Sequence, residues 1–527
     1  MKKLRLLPIF LCILSVTITS CDSVDFGGLN QDDDVPTEAN MEGLMAGGMN
    51  QFFTNWGRAY FNNPTLYVQY QAQSTYTTEM TYGENPYPWS LYYSGVLSNF
   101  KEIYQRTTAE EIPTTVSGFG DPANQAAVAE IMSAVVFKRV TDIWGPVPYS
   151  NGDGTVGQGL AGLDNVTPTY TSQDSIYKNL ITRVKAARDM INVGAAGPTG
   201  DVLYGGDMEK WQQFANSLIL QLAIQLSDVD EAYAQQEFNA ALDHEAEVIK
   251  TVDAEAWYDY RNSPGAINPL SQNRASDYLL SDSFTDALQG DTNGDSTIVY
   301  SNTRMDERLN VFATDPTISG GRFGIDKISN SGSSISDQIW DAGADLPYMT
   351  AAYTYLNRAE AANLGWTNES AALMLEEAIT MSYASIDAHW DDGDASSGLL
   401  TTDGTAFAVQ RVADASNGNA EDGLAQVIAE EKWVALFPMG FDAWSEWRRT
   451  SDDKNWGADH GRTYDAKGYP GLYPAVDATN GGEIPTRYIY PSAEAGTNSS
   501  GYDSGVSQLT PSQDNNTSNM WWDIGDQ

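Results

Sequence analysis

The sequence is poor in cysteine, histidine and basic residues. Its 527 residues include 2 cysteines, 3 histidines, and 29 Lys and Arg against 71 Asp and Glu. The formal net charge of −42 argues against nucleic-acid and other polyanionic ligands, which need basic patches, and favours neutral or cationic ligands. An acidic surface that only keeps an exported protein in solution is an equally good explanation of the same charge.

Long apolar runs are absent beyond the first twenty residues. Three basic residues precede an apolar run from Leu6 to Ser20, which is too short to span a membrane as a mature helix. Residues 1–20 are therefore predicted to be an export signal that ends in small residues before Cys21. Because Cys12 leaves with this signal, Cys21 is the sole cysteine of the mature chain, and we expect it to carry lipid. An ordinary export signal followed by a chance cysteine is the alternative.

The mature chain is predicted to have one domain behind a tether. Residues 21–40 are polar and rich in Asp and Gly, which is typical of a flexible segment. Nothing within residues 41–527 resembles a domain linker. Without the three basic residues of the signal, 26 basic residues face 71 acidic ones, a net charge of −45.

Apolar residues recur at helical spacing in five segments of the chain. The predicted helices cover Asn124–Ile143, Ser172–Ile191, a segment capped by Asp207, Ala351–Ala362 and Leu424–Leu436. Thr171 or Ser172 is available as the N-cap of the second. Three regions rich in Gly, Asn, Ser and Pro are expected to be loops: Trp56–Trp89, Trp257–Trp340 and Thr450–Trp522.

Motifs for catalysis are weak or missing. His244 and Glu245 begin like a zinc-protease signature, but no second histidine follows four residues later. No Gly-x-Ser-x-Gly elbow occurs, and cysteine catalysis is excluded. Gly152 to Gly157 spells a dinucleotide-binding string, yet Pro146-Val-Pro148 precedes it where a strand is required. A carboxylate pair for glycoside hydrolysis stays open, since no sequence context singles one out.

One segment has the spacing of a calcium loop. Asp291, Asn293 and Asp295 offer oxygen ligands at alternate positions. The sixth position holds Ser296 in place of glycine, and the twelfth holds Asn302 in place of an acid. A structural calcium ion and a turn held by Asx hydrogen bonds are both compatible with this pattern. No other cofactor is expected.

Aromatic residues are abundant, with 14 Trp, 28 Tyr and 16 Phe. Much of this set fills the core, and the rest could stack on the apolar faces of sugar rings. The candidate ligand-binding aromatics lie in the predicted loops: Tyr76, Tyr82, Tyr87, Trp89, Tyr300 and Trp340. Trp340 is the best candidate because its loop is rich in Ser, Asp and Gly. For each ring the alternative is a packing role, and that alternative is strongest for Trp89, which opens a helical pattern.

Several segments in order along the chain resemble one family. They are Thr141–Ser150, Tyr204–Trp211 with Phe214–Leu218, Arg358–Trp366, Lys432–Phe437 with Trp444 and Arg448-Arg449, Pro485–Arg487 with Tyr490-Pro491, Glu494 and Asn498, and Trp521–Asp523. Together they resemble the SusD/RagB family of Bacteroidetes outer-membrane lipoproteins. One departure lies in the helical segment after Asn216-Ser217-Leu218. Members often have basic residues there, whereas this chain has Ile219, Gln221 and Gln225.

This resemblance implies both a fold and a function. The implied fold is mostly α-helical, with tetratricopeptide-like helix pairs and an irregular, loop-rich layer. The implied function is capture of glycans at the outer membrane for a SusC-like TonB-dependent transporter. Peptide capture, as in RagB-like members, is the first alternative, and a surface glycosidase is the second. The resemblance also implies that the matching residues cap, pack or pair within the scaffold, among them Asp142, Trp144, Asn216, Glu360, Trp433 and Arg448.

Overall fold

The structure is a computed structural model. It describes residues 40–54, 62–84, 86–149, 160–263, 265–290, 300–326, 331–391, 398–450 and 469–523. Contacts divide the chain into Met1–Asn40 and Met41–Gln527, and every described helix and strand lies in the second unit. The predicted lipid site Cys21, the tether and the calcium candidate (Asp291, Asn293 and Asp295) lie outside the described residues.

Helices dominate the described residues. They are α1 Met41–Thr54, α2 Asn62–Tyr67, α3 Ser98–Thr107, α4 Thr114–Ser117, α5 Pro122–Trp144, α6 Gln173–Met190, α7 Met208–Ile224, α8 Glu231–Leu242, α9 Asp282–Gln289, α10 Arg308–Phe312, α11 Asp337–Trp340, α12 Ala351–Asn363, α13 Ala371–His389, α14 Thr405–Asn417, α15 Leu424–Ala435, α16 Gly440–Thr450, α17 Glu494–Thr497 and α18 Ser499–Val506. A π-helical segment, Leu91–Leu97, leads directly into α3. None of the helices among these residues is long and apolar enough to cross a membrane.

Consecutive helices pack against one another in two runs. Helices α5, α6, α7 and α8 form one run, and α12, α13, α14, α15 and α16 form the other. Contacts of α12 with α7 join the two runs. The five alanines between Ala351 and Ala362 let neighbouring helices approach α12 closely. The prediction of a mostly α fold with tetratricopeptide-like helix pairs and a loop-rich layer is confirmed.

The helix starts follow the capping residues of the sequence. The Asp121 carboxylate accepts hydrogen bonds from two backbone amides at the start of α5, where Pro122 stands at the first position. Ser172 caps α6 and Asp207 caps α7, as the sequence predicts. Gly145, with a φ of +85°, ends α5 in a conformation that favours glycine. Each of the five predicted helices is confirmed, with ends that differ by only a few residues.

Short strands tie the loops together. They are β1 Gln71–Gln73, β2 Val147–Pro148, β3 Tyr170–Thr171, β4 Ala256–Tyr258, β5 Tyr278–Leu280 and β6 Leu346–Met349. They pair antiparallel as β1 with β5, β2 with β3 and β4 with β6. In the first pair Gln73 lies opposite Tyr278, which joins two of the three predicted loop regions.

Of the six residues assigned to the scaffold by resemblance, five are buried and Glu360 is partly buried, and all six are bonded within it. The Asp142 carboxylate accepts from the Lys138 ammonium at 2.8 Å and from the Tyr177 hydroxyl. The Trp433 indole N–H donates to the Val68 carbonyl at 2.9 Å, and the Trp144 indole donates to the Ile489 carbonyl at 3.2 Å.

The other three tie helices and loops together. The Arg448 guanidinium lies 3.7 Å from the centre of the Trp444 ring. Glu360 pairs with Lys432 and Arg449, and the Asn216 side-chain carbonyl accepts from Arg188. The matching residues therefore hold the scaffold together.

Candidate functional site

Two of the candidate aromatics are part of the core, which corrects the expectation for them. Tyr82 is 0% exposed, and its hydroxyl accepts a hydrogen bond from the Ala475 amide at 3.0 Å. Trp89 is 8% exposed and packs edge-on against Trp144 and Tyr170. Their neighbours along the chain are polar, but long-range packing encloses both rings. Neither ring presents a face on which a ligand could stack.

Tyr300 is also held against the scaffold. Its ring centre lies 6.0 Å from that of Trp433 and 5.2 Å from the Arg411 guanidinium carbon. Its hydroxyl is buried without a hydrogen-bond partner among the described residues. Burial raises the pKa of this phenol well above its ordinary value. Tyr300 is partly buried and faces the charges around Arg411, so a role for its ring in ligand binding stays a prediction.

The remaining three candidates lie at the surface of the loop layer. Tyr76 is 64% exposed, whereas Tyr87 and Trp340 are partly buried. The Trp340 ring centre lies 6.2 Å from that of Tyr278, with the ring planes tilted by 42°. Ser74 donates through its amide to the Asp277 carbonyl at 2.9 Å, which places the segment before Tyr76 beside Tyr278. The pairing of β1 with β5 therefore brings Tyr76 and Trp340 to the same part of the molecule.

Amide side chains connect these aromatics. The Asn62 amide donates to the Tyr278 hydroxyl and to the Asn273 side-chain carbonyl, each at 3.0 Å. The Gln73 amide donates to the Glu79 carboxylate at 3.0 Å. We name this group the loop-layer patch; it consists of Asn62, Gln73, Tyr76, Glu79, Tyr87, Asn273, Tyr278 and Trp340.

Tyr87 joins the loop-layer patch through the next residue of α2. The Asn63 amide donates to the Tyr87 hydroxyl at 3.2 Å. The Tyr87 ring centre lies 5.3 Å from that of Tyr488. This contact ties the loop-layer patch to the C-terminal loop region.

The patch has an outer and an inner layer. Tyr76, Glu79, Tyr87, Asn273 and Trp340 have exposed surface, whereas Asn62, Gln73 and Tyr278 lie beneath them. The inner side chains hold the outer ones in place by hydrogen bonds and ring contact. Outer groups alone could touch a ligand.

Trp340, which the sequence predicts in a loop, ends the short helix α11, and hydrogen bonds hold the backbone around it. The Asn268 amide donates to the Ile339 carbonyl at 2.8 Å and to the Ala344 carbonyl at 3.1 Å, which clamps the chain on both sides of Trp340. Among the described residues, five other than glycine have a φ in the left-handed region. Gln69, Tyr76 and Tyr82 are three of these five. Strained conformations of this kind cluster at functional sites.

The chemistry of the patch suits an uncharged, hydroxyl-rich ligand. Amide groups both donate and accept hydrogen bonds, as sugar hydroxyls do. The Trp340 ring offers an apolar face, and Glu79 offers a carboxylate acceptor. The neighbouring Arg274 side chain is 73% exposed, with its Nε 3.7 Å from the Asp277 carboxylate. Among the described residues, no group of three or more His, Cys, Asp or Glu side chains is arranged to hold a metal ion.

The sequence did not single out the amide residues of the patch. Asn62 and Asn63 precede Pro64 at the start of α2, and a paired asparagine before proline is typical of a helix start. Their contact with Tyr278 and Tyr87 depends on strand pairing between distant segments. Gln73 opposite Tyr278 is fixed by the same register, which no local pattern reveals.

A family model matches most of the chain. The model is SusD-like, described as starch-binding and associating with the outer membrane, and it matches residues 34–491. No curated protein sequence matches the chain significantly.

Solved structures share the fold. A chitin-binding protein is 24% identical with a TM-score of 0.72, covering 92% of this chain and 100% of its own. A chitin-binding SusD homologue from Flavobacterium johnsoniae is 22% identical with a TM-score of 0.68, covering 91% and 98%. A SusD homologue from Bacteroides fragilis is 18% identical with a TM-score of 0.69, covering 93% and 100%. The helix pairs, the loop layer and the extent of the family match together show that this chain belongs to the SusD-like family of outer-membrane-associated, starch-binding proteins.

Proposed function

We propose that this protein is a non-catalytic, cell-surface lipoprotein that captures a neutral oligosaccharide on the loop-layer patch and delivers it to a SusC-like TonB-dependent transporter. The observation that carries the binding site is the partly buried Trp340 ring beside Tyr278, at the end of the short helix α11, where Asn268 holds the backbone on both sides by hydrogen bonds. A rigid aromatic platform with amides at its edge supplies stacking on one side of a sugar ring and hydrogen bonds at its rim.

Family membership supports the glycan class. The family is described as starch-binding, and two of the solved structures with the same fold are named as chitin-binding. Starch and chitin are both polymers of uncharged pyranose rings. This common chemistry agrees with the amides and the aromatic ring of the patch.

The charge of the chain supports a neutral ligand. A mature net charge near −45 creates a negative potential around the protein, which repels sulfated or uronate-rich polymers. Salt screens such a potential over roughly 8 Å at physiological ionic strength. A neutral sugar is not affected by it, so its affinity should change little with added salt.

The sequence of the N-terminal segment supports the anchor and the partner. Lipid on Cys21 would hold the protein at the outer membrane, and the polar residues 21–40 would give it room to move over a transporter barrel. Recovery of a barrel-sized protein in a mild-detergent pulldown from the native host tests the partnership. Isolation of the lipoprotein alone would contradict it.

A ligand-class screen tests the proposal directly. The purified chain without its signal and Cys21 is titrated with neutral oligosaccharides, anionic polysaccharides and mixed peptides, with reducing-end release measured in parallel. The expected result is micromolar or weaker binding of a neutral glycan, with no release of reducing ends. Preferential binding of peptides would favour the RagB-like alternative, and release of reducing ends would establish a glycosidase.

A further inference from the structure

A cavity lies between three helices, outside the loop-layer patch. It has a volume of about 470 Å³ and is lined by side chains of α3, α5 and α6. This volume is within the range of small-molecule sites, which is about 300–1,000 Å³. A water molecule occupies about 30 Å³ in the liquid, so a cavity of this volume has space for a small ring compound.

A buried ion pair forms part of the cavity lining. Arg183 donates through Nε to the Glu130 carboxylate at 2.5 Å and through Nη2 to its other oxygen at 3.0 Å. The Arg183 Nη1 donates to the Tyr149 hydroxyl at 2.8 Å, and that hydroxyl donates to the Asn179 side-chain carbonyl at 2.6 Å. The charges of Glu130 and Arg183 offset each other, so this part of the lining is polar and close to neutral.

Other residues of the lining are apolar or aromatic. Phe100, Ala187 and Met190 contribute apolar side chains. Tyr104, which is partly buried, contributes a ring and a hydroxyl. Burial, followed by the nearby Glu130 carboxylate, raises the pKa of Tyr104, so the hydroxyl stays neutral at physiological pH. Lys101 also lines the cavity, and its ammonium donates to the Leu160 carbonyl at 2.5 Å.

We infer that this cavity is a second binding site, which takes a single neutral pyranose ring. A pyranose has apolar C–H faces and a rim of hydroxyls, and the cavity lining offers partners for both: the apolar Phe100 and Met190, and the polar Glu130, Asn179 and Arg183. A purely apolar ligand would remove water from the ion pair without replacing its hydrogen bonds, which is unfavourable. The hydroxyls of a sugar replace them.

The site is separate from the loop-layer patch and does not depend on it. The patch contains Trp340 and residues of β1 and β5, whereas the cavity is built from helices α3, α5 and α6. A polysaccharide-binding protein with two sites gains avidity for one polymer. The pyranose could come from a free monosaccharide or from the non-reducing end of a chain, and the experiment distinguishes the two.

Filling the cavity tests the inference. Ala186 and Thr182 line it and are exposed on α6, so Ala186→Trp and Thr182→Trp add bulk to the cavity without changing the core. Ala240, exposed on α8, provides the control variant Ala240→Trp. Saturation-transfer NMR is recorded with D-glucose, N-acetyl-D-glucosamine, D-glucuronate and phenylalanine at about 10 mM, a concentration suited to millimolar dissociation constants. Maltotriose and its reduced form test whether the cavity binds the non-reducing end of a sugar chain.

The expected result is binding of glucose or N-acetylglucosamine by the wild type, by Trp340→Ala and by Ala240→Trp. Ala186→Trp and Thr182→Trp should weaken it at least tenfold at unchanged melting temperature. Binding of reduced maltotriose at the same site would identify a chain end, and binding of the monosaccharides alone would identify free sugar. No binding of either sugar, or loss of it only in Trp340→Ala, would overturn the inference while leaving the proposed function intact. Preference for phenylalanine, or for glucuronate through Lys101, would overturn the neutral-sugar class.

Discussion

A largely buried group of four charges offers a sharp test of what holds the second helix run, α12 to α16, together. The Glu446 carboxylate lies 2.6 Å from Arg449 and 3.1 Å from Lys432, and Glu360 lies 2.5 Å from Lys432 and 2.6 Å from Arg449. The Tyr353 hydroxyl also donates to Glu446 at 2.5 Å. Two carboxylates and two cations thus join α12, α15 and α16 without net charge.

Glu446→Gln leaves two cations opposite one carboxylate. Breaking a buried pair in this way costs about 3–5 kcal/mol of unfolding free energy, because a charge stays buried without its partner. The double variant Glu446→Gln with Lys432→Met restores neutrality and should recover part of that loss. Glu102, which pairs with Arg106 and is 42% exposed, gives the control variant Glu102→Gln, with an expected loss of about 0–1 kcal/mol.

The same group predicts a pH dependence. Burial alone would raise the pKa of Glu446, but Lys432 and Arg449 outweigh burial and hold it well below its usual range. Because the folded-state pKa is below the unfolded value of about 4.3, this stabilisation is complete above that pH. It is lost as the pH falls toward the folded-state pKa. The unfolding free energy of Glu446→Gln should therefore decrease less steeply than that of wild type as the pH falls below about 4.

Urea denaturation at several pH values measures these effects through the midpoint and slope. A Glu446→Gln protein that unfolds within about 1 kcal/mol of wild type, no worse than Glu102→Gln, would refute the reasoning.

Four further outcomes are expected. Trp89→Ala should lower the unfolding free energy by about 3–5 kcal/mol, since it removes a core ring, as thermal denaturation would show; an unchanged melting temperature would argue against a core role. Cys21→Ala should leave a folded protein that is lost from the outer-membrane fraction, and membrane fractionation like that of wild type would disprove lipidation. If Asp291, Asn293 and Asp295 bind calcium, EDTA should lower the melting temperature and added calcium should restore it, whereas no response would favour the Asx turn. Glycan affinity should stay nearly constant as sodium chloride is raised, and a steep decrease would indicate an anionic ligand held by basic residues.

The helices were predictable because their signals are local. Asp121, Ser172 and Asp207 stand immediately before the residues that begin α5, α6 and α7, and they bond the first amides there. Apolar spacing then marks the buried face of each helix. The family motifs are spread along the chain, so the sequence also indicates that one fold covers most of it.

The candidate site was predictable only in part. Trp340 and Tyr76 lie in segments whose composition predicts loops, and they remain at the surface. Tyr82 and Trp89 lie in the same kind of segment, yet contacts with residues far along the chain bury them. Because burial of a loop aromatic depends on such contacts, composition cannot separate a platform ring from a core ring.

Isothermal titration with a neutral oligosaccharide tests the central claim, comparing wild type with Trp340→Ala and a matched control. Trp521 is also partly buried and lies beside Gln173 at the start of α6, so Trp521→Ala serves as that control. Loss of one stacking ring is worth about 1–3 kcal/mol, or about 5- to 150-fold in affinity. The account predicts this loss for Trp340→Ala and none for Trp521→Ala, with both proteins folded. Wild-type affinity in folded Trp340→Ala would contradict capture of the glycan at the loop-layer patch.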